Sequence, residues 1–319
     1  MTEHGPGSAA AALPPQTVEA EPIKAVKLRH PWRTIIAVVI VVYVAAFLWD
    51  AASRKAFQWD VFAKYLFDRR ISEAAVNTLQ LTVYSMLIAA VLALILAVMR
   101  LSTNPVFRSI SWAYLWIFRG TPVYVQLTFW GLLSVIYPRL TLGLPFLPPA
   151  VSLPTQGTLS FFTLAVIGLA LNESAYLAEI VRAGILSVDR GQEEAATALG
   201  MSWSQSMWRV VIPQSMRVII PPTGNEVISM LKTTSLVTAV PYSFDLFTRS
   251  RDIASTLFAP IPLLMVASVW YLAITSVLMI GQYFLEKRFA RGIGDVRPGK
   301  DDGSVTVAAV DTHGSEHIR

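Results

Sequence analysis

The chain alternates long apolar runs with short polar segments along most of its 319 residues. A helix needs about 20 mostly apolar residues to cross the hydrocarbon layer of a bilayer. Six runs approach or exceed this length, and they lie at Thr34–Trp49, Val76–Met99, Ser111–Tyr137, Ser160–Leu186, Pro222–Val240 and Ile261–Leu285. The pattern therefore predicts an all-α polytopic membrane protein with about six transmembrane helices.

Basic residues beside these runs predict the direction in which the chain crosses, because Lys and Arg favour the cytoplasmic side. They are concentrated in the segments 24–33, 100–108, 190–209 and 287–297. This bias places both termini in the cytoplasm and the loops 138–159 and 241–260 outside. The loop 50–75 does not follow the bias, since it carries five basic residues against four acidic ones.

The first run admits a second interpretation, because four basic residues precede it as in a cleaved signal peptide. The 33 residues ahead of it are long for the basic part of such a peptide, so we favour a spanning helix. We therefore assign residues 34–71 to a first transmembrane helix and an outer loop. We predict disordered cytoplasmic tails for the segments 1–33 and 291–319 from their composition. The proline-rich segment 139–159 is predicted to form an irregular outer loop.

The composition excludes several classes of function. Hydrophobic residues make up 54% of the chain and charged residues only 15%, against about 25% in soluble domains. There is no Cys, and the four His all lie in the predicted tails, at positions 4, 30, 313 and 317. The membrane part therefore offers no thiolate or His-based metal centre and no His base. The net charge of +5 is assigned to topology, and no nucleic-acid binding is predicted.

A polar, amphipathic segment from residue 189 to 213 interrupts the apolar pattern between the fourth and fifth runs. It is too polar to cross a bilayer and must lie on one face as a docking element. Its helix signals are two capping patterns, a glycine suited to a left-handed helix end and a proline expected to stop the last helix. These are Asp189 with Gln192, Ser202 with Gln205, Gly200 and Pro213.

The spacing of Glu194–Ala196, Gly200 and Val210–Pro213 resembles the EAA loop of ABC importer permeases. In that family the loop forms the coupling helix, which sits in a cleft of the ATP-hydrolysing subunit. Three further stretches are similar to the permeases for polar amino acids, the group that handles His, Gln, Glu, Arg and opines. They are Phe118–Leu127, Asn172–Gly184 and Asn225–Leu236. The resemblance covers about residues 72–290, and Thr233 departs from the Asp common there in the family.

The resemblance implies an ABC type I importer permease fold in a bacterial inner membrane, with the permease domain at 72–290 and its coupling loop at about 189–213. It implies three kinds of partner: ATP-binding subunits, a second permease chain of the same or a sister sequence, and an extracytoplasmic solute-binding protein. It assigns coupling to the ATPase to Glu193, Glu194, Ala195, Ala196, Gly200 and Pro213. No cofactor is expected on this chain, whereas ATP and Mg belong to the partner. The sequence agrees, because it contains no G-x-x-x-x-G-K-[ST] phosphate loop.

Polar residues in two predicted spans are candidates for a translocation pathway, because a charge at the bilayer centre costs at least about 2.5 kcal/mol. The candidates are Glu173, Tyr176, Glu179, Asn225, Glu226, Ser229 and Lys232. A zwitterionic amino acid needs an acceptor for its ammonium group, such as Glu173 or Glu226. It also needs donors for its carboxylate, such as Lys232, Asn225 or threonine hydroxyls. A structural interpretation stays open, in which Glu179 pairs with Arg182 in its own helix and Lys232 binds a partner carboxylate.

Two other classes of function are weighed against an ATP-driven importer. An ion-gradient-driven secondary amino acid carrier could use the intramembrane Glu residues, but the chain shows no repeated halves of the kind such carriers often have. A membrane enzyme is disfavoured, since no His lies in the apolar core. The segment Arg119–Pro122 is interpreted as a helix start, with Thr121 as N-cap and Pro122 at the first helical position.

Overall fold

The computed structural model describes residues 31–142 and 149–289, and these are mostly helical. The first part holds α1 (Pro31–Ser53), a 3₁₀ turn (Lys55–Phe57), α2 (Trp59–Leu66), α3 (Arg69–Leu101), α4 (Pro105–Gly120), α5 (Val123–Gly131), α6 (Leu133–Ile136) and strand β1 (Arg139–Leu142). The second part holds β2 (Val151–Pro154), the short turn α7 (Thr155–Thr158), α8 (Phe161–Leu186), α9 (Arg190–Ala198), α10 (Trp203–Ser206), a π-helix (Met207–Val211), α11 (Ile212–Thr233), a 3₁₀ helix (Thr234–Ala239), α12 (Leu246–Leu257) and α13 (Pro260–Phe289).

The chain divides into two compact units, and the boundary between them in the described sequence falls between Leu48 and Trp49, within α1. The described part of the first unit is the apolar stretch of α1, and the second unit contains all the other described elements. Among the described residues, four helices are long and apolar enough to cross a membrane: α1, α3, α8 and α13. They coincide with the first, second, fourth and sixth predicted spans. The predictions for residues 1–30 and 290–319 lie outside the described residues.

The third and fifth predicted spans differ from the structure. The run expected to form one helix over residues 111–137 is divided, because α4 ends at Gly120 and α5 begins at Val123. The fifth helix begins ten residues earlier than expected, at Ile212, and passes into 3₁₀ geometry after Thr233. The prediction that residue 213 stops a helix is wrong, because proline is tolerated in a first helical turn and this proline lies in the first turn of α11.

The proline-rich segment 139–159, predicted to be an irregular outer loop, contains a short antiparallel pair of strands. Strand β1 pairs with β2 so that Arg139 lies opposite Pro154 and Thr141 opposite Ser152. The Arg139 side chain supports the pair by donating from Nε to Ser152 Oγ at 2.9 Å. The described fold is therefore helical with one added pair of antiparallel strands, because proline at a strand edge does not prevent pairing.

The main core lies where α3 packs along α8. Ala89, Ala93 and Ala97 of α3 follow one another at four-residue spacing and are fully buried. On α8, Ala170 and Ala178 are buried in the same cluster. Small side chains let helix backbones approach closely, which favours helix association in a membrane, where lipid is as apolar as the side chains themselves.

A second core joins α2 and α12 to α13. Tyr65, Leu246 and Leu263 are buried there, and Trp270 Nε1 donates to the carbonyl of Leu66 at 2.7 Å. The short helices α2 and α12 are thus fixed to the long helix α13, although neither is long enough to cross a bilayer.

Replacing Gly184 with alanine is expected to destabilise the contact between α8 and α11. A Cβ atom at Gly184 would overlap Cγ1 of Ile219, and it would lie 3.4 Å from the carbonyl oxygen of Ser215. Overpacking of this kind costs about 1–3 kcal/mol in the free energy of unfolding, so the melting temperature in detergent should fall. Gly281→Ala is the control, because a Cβ there meets nothing within 4 Å. Equal melting temperatures for the two variants would contradict the prediction.

Candidate functional site

The polar segment predicted to dock a partner directly follows the spanning helix α8. Its first helix, α9, begins after Asp189, whose side chain accepts a hydrogen bond from the backbone N–H of Gly191 at 2.6 Å. The Gln192 side chain does not complete a capping box, because its Oε1 accepts from Gln214 Nε2 at 3.3 Å. This contact instead connects α9 to the first turn of α11.

The end of α9 has the predicted left-handed glycine. Gly200 has φ of +77°, its N–H donates to the Thr197 carbonyl at 2.9 Å, and the Met201 N–H donates to the Ala196 carbonyl at 3.1 Å. This pair of bonds is a Schellman motif. The second predicted capping box is also present, because Ser202 and Gln205 bond each other's backbone N–H groups at 3.0 and 3.4 Å.

Helix α9 exposes one face to solvent and packs against the rest of the permease with the other. Ala196 is 3% exposed, whereas Glu193, Glu194 and Ala195 are all exposed and Leu199 is 82% exposed. Gly200 and Pro213 are exposed as well. Beside α9 lies a cavity of about 820 Å³ lined by the end of α8, by α9 and by the π-helix. Five of the six predicted coupling residues are thus accessible to a partner, and Ala196 supports the fold.

A second cavity, of about 620 Å³, lies where the break between α4 and α5 faces α8 and α11. Four of the seven predicted pathway residues line it: Glu173, Tyr176, Glu226 and Ser229. We call this space the glutamate cavity. Arg119 also lines it and places its guanidinium group 5.4 Å from the centre of the Tyr176 ring.

Glu173 is the most unusual side chain of the glutamate cavity. It is 7% exposed, and its Oε1 atom has no hydrogen-bond partner among the described residues. Glu226, one helix away, is half-buried. Neither forms a salt bridge with any residue in the ranges 31–142 and 149–289. A buried carboxylate without a partner is costly, so a hydrogen-bond donor or a cation in the cavity would stabilise it.

Side-chain amides missed by the sequence analysis hold the wall of the glutamate cavity. Asn172 donates from Nδ2 to the Phe118 carbonyl at 2.9 Å and to Gln126 Oε1 at 3.0 Å. Gln126 donates in turn to Thr121 Oγ1 at 2.7 Å. Their position inside otherwise apolar runs was the signal in the sequence that could have identified these two amides.

The predicted N-cap of α5 at Thr121 is wrong by one residue, since Pro122 takes that position. The hydroxyl of Thr121 instead lies at the end of α4 and donates to the Ile117 carbonyl.

The remaining three pathway candidates lie elsewhere. Glu179 pairs with Arg182 in its own helix, with Arg182 Nε 3.1 Å from Glu179 Oε2, as the structural interpretation expected. Asn225 accepts from Gln282 Nε2 of α13 at 2.9 Å and does not line the glutamate cavity. Lys232 is exposed and is also absent from that lining. Sequence spacing placed these residues on the correct helices but not on the face that meets the cavity.

Comparison with known proteins decides the family. Residues 89–291, more than half of the chain, match the model of the binding-protein-dependent transport system inner membrane component. The chain belongs to this family. The permease is 54% identical to the arginine transport system permease protein ArgU of Corynebacterium glutamicum, over 92% of this chain and 89% of that protein. It is 34% identical to the L-cystine transport system permease protein TcyB of Bacillus subtilis, over 74% of this chain and 93% of that protein.

A solved structure of an amino acid ABC transporter with histidines also resembles the permease, with 32% identity and a TM-score of 0.57 over 73% of this chain and 98% of that one. The resemblance to ABC permeases for polar amino acids is therefore confirmed. The chain is the membrane-spanning subunit of an ATP-driven importer, and the alternative of an ion-gradient-driven carrier is not supported.

Proposed function

We propose that this permease translocates a cationic amino acid, with arginine as the preferred substrate. The observation that carries the proposal is the pair of carboxylates in the glutamate cavity, Glu173 and Glu226, neither of which has a cationic partner among the described residues. The 54% identity to an arginine transport permease supports the same substrate. Of the side chains a polar amino acid can carry, a guanidinium or an ammonium group best satisfies two carboxylates.

The other groups of the glutamate cavity suit the rest of an amino acid. Arg119 has no carboxylate partner in the described salt bridges and can bind the substrate carboxylate through two parallel N–H groups. Ser229 and Thr233 add hydroxyls on the α11 side. The substrate would thus lie between Arg119 at the break of α4 and α5 and the carboxylates of α8 and α11. This assignment replaces Lys232, which the sequence suggested as the carboxylate donor.

The proposed assembly contains two permease chains, of the same or a sister sequence, two ATP-hydrolysing subunits and an extracytoplasmic solute-binding protein. The ATP-hydrolysing subunits hold ATP and Mg, while the permease binds no cofactor. Their closure would move α9 and, through Asp189 and the Gln192–Gln214 contact, shift α8 and α11 around the glutamate cavity. We place both termini in the cytoplasm, in agreement with the basic residues beside the spans.

The substrate proposal can be tested by uptake into vesicles that contain the whole transporter, with ATP inside and no ion gradient. Citrulline matches arginine in shape but lacks its charge. Because the binding protein also discriminates, the informative quantity is the ratio of arginine to citrulline uptake in a variant relative to wild type. Glu226→Gln should lower this ratio about tenfold, since a hydrogen bond to a charged group contributes about 1.5–3 kcal/mol.

Glu73→Gln is the matched control, because Glu73 lies on the exposed first turns of α3 in a surface pair with Arg69. It should leave the ratio unchanged. An unaltered ratio in Glu226→Gln, with uptake otherwise intact, would show that the permease does not recognise the substrate charge at this cavity.

A further inference from the structure

A third cavity, of about 450 Å³, lies at the ends of α3 and α8 beside α4. Arg100, at the end of α3, and Glu179, two turns before the end of α8, both line it. Because α8 leads directly into α9, this cavity lies at the same end of the helix bundle as the docking segment. It adjoins the glutamate cavity through Arg119, Gly120 and Tyr176, which line both.

The charge of this third cavity is positive. Arg100 and Arg119 form none of the salt bridges within residues 31–142 and 149–289. The one acidic residue of the lining, Glu179, is paired with Arg182. Two guanidinium groups therefore face a space whose single carboxylate already has a cationic partner.

Two tryptophans form the outer wall of the third cavity. Trp112 and Trp116 lie one turn apart on α4 with their rings parallel within 5° and their centroids 6.1 Å apart. They are 52% and 65% exposed, and Ile117 beside them is 48% exposed. Exposed tryptophan next to exposed aliphatic side chains is typical of the headgroup level of a membrane, where the ring is half in lipid and its N–H can bond polar groups.

We propose that this cavity binds the phosphodiester headgroup of an anionic membrane phospholipid. The planar donors of Arg100 match phosphate oxygens, and Arg119 adds positive charge at the border with the glutamate cavity. A basic pocket between spanning helices is a recognised form of anionic headgroup site. The acyl chains would extend along the exposed apolar face of α4. A bound lipid here would contact α8 two turns before its end and would thereby stabilise the helix that transmits the movement of the ATPase.

The experiment uses the whole transporter in nanodiscs that contain phosphatidylcholine with a minor fraction of phosphatidylglycerol. Native mass spectrometry counts the phosphatidylglycerol that stays bound after release from the disc. Wild type should retain it in preference to phosphatidylcholine, and Arg100→Gln should reduce the retained amount about tenfold. Arg108→Gln is the matched control, because Arg108 lies on α4 at the same end but outside the cavity lining, and it should retain lipid as wild type does.

Equal retention by Arg100→Gln and Arg108→Gln would overturn the proposal. So would a loss of the second permease chain from the complex in Arg100→Gln, since this would make the cavity part of a subunit interface. Displacement of the lipid by millimolar inorganic phosphate in the wild type would likewise identify a site for small anions. None of these readouts depends on which amino acid is transported, so the lipid site and the substrate proposal stand or fall separately.

Discussion

Replacing Ala195 with tryptophan is expected to abolish ATP-driven uptake while the permease itself stays folded. Ala195 is exposed on α9, next to the exposed carboxylates of Glu193 and Glu194, so a larger side chain there can extend away from the described part of the permease. A partner that receives the helix in a cleft would meet it at once. Interfaces are packed as densely as protein interiors, so one indole at the contact is enough to prevent docking.

The measurement has three parts: uptake, copurification of the ATP-hydrolysing subunit, and the melting temperature of the permease. Ala195→Trp should lose the first two and keep the third. Ala56→Trp is the control, because Ala56 is exposed on the 3₁₀ turn Lys55–Phe57, remote in sequence from the docking segment. Ala196→Trp should behave differently from both, since Ala196 is 3% exposed and its replacement should lower the melting temperature. Normal copurification and uptake in Ala195→Trp would show that α9 is not the docking helix.

The docking segment shows how far a sequence can specify a site through local rules. The reciprocal bonds of Ser202 and Gln205 and the positive φ of Gly200 were predictable because each involves residues fewer than five positions apart. The failure at Gln192 has the opposite origin. Its side chain reaches Gln214 on α11, 22 residues away, and no capping rule considers a competing tertiary partner.

The membrane spans show the same contrast between features set by local sequence and features set by tertiary contacts. Hydropathy predicted α1, α3, α8 and α13, because burial in lipid requires a continuous apolar surface. It did not predict the break between Gly120 and Val123, where buried side-chain amides of Gln126 and Asn172 bond the backbone that the break leaves free. It also could not decide which face of α11 meets the glutamate cavity, because Glu226 and Asn225 are neighbours in sequence and only packing against Gln282 separates their environments.

Replacing Glu173 with glutamine is expected to lower arginine uptake by tenfold or more without loss of stability. The substitution keeps the shape of the side chain and removes its ability to carry a negative charge. In the folded permease Glu173 is 7% exposed and Oε1 has no partner among the described residues, so burial disfavours the ionised form until a cation or a hydrogen-bond donor enters the cavity. If Glu173 only stabilised the fold, replacing it with a neutral residue would lower the stability of the permease. Here the melting temperature without substrate should stay the same or rise, as for other groups whose strain serves function.

The two readouts together separate a role in transport from a role in folding. Uptake is measured at saturating binding protein and ATP, and stability is measured on the purified permease, with Glu73→Gln as the surface control. Reduced uptake with an unchanged or higher melting temperature assigns Glu173 to the substrate, because the ionised carboxylate is stabilised only when a cation enters the cavity. Unchanged uptake would remove Glu173 from the pathway. A fall in both quantities would show that its carboxylate holds the helices together, and would leave Glu226 as the acceptor for a cationic substrate.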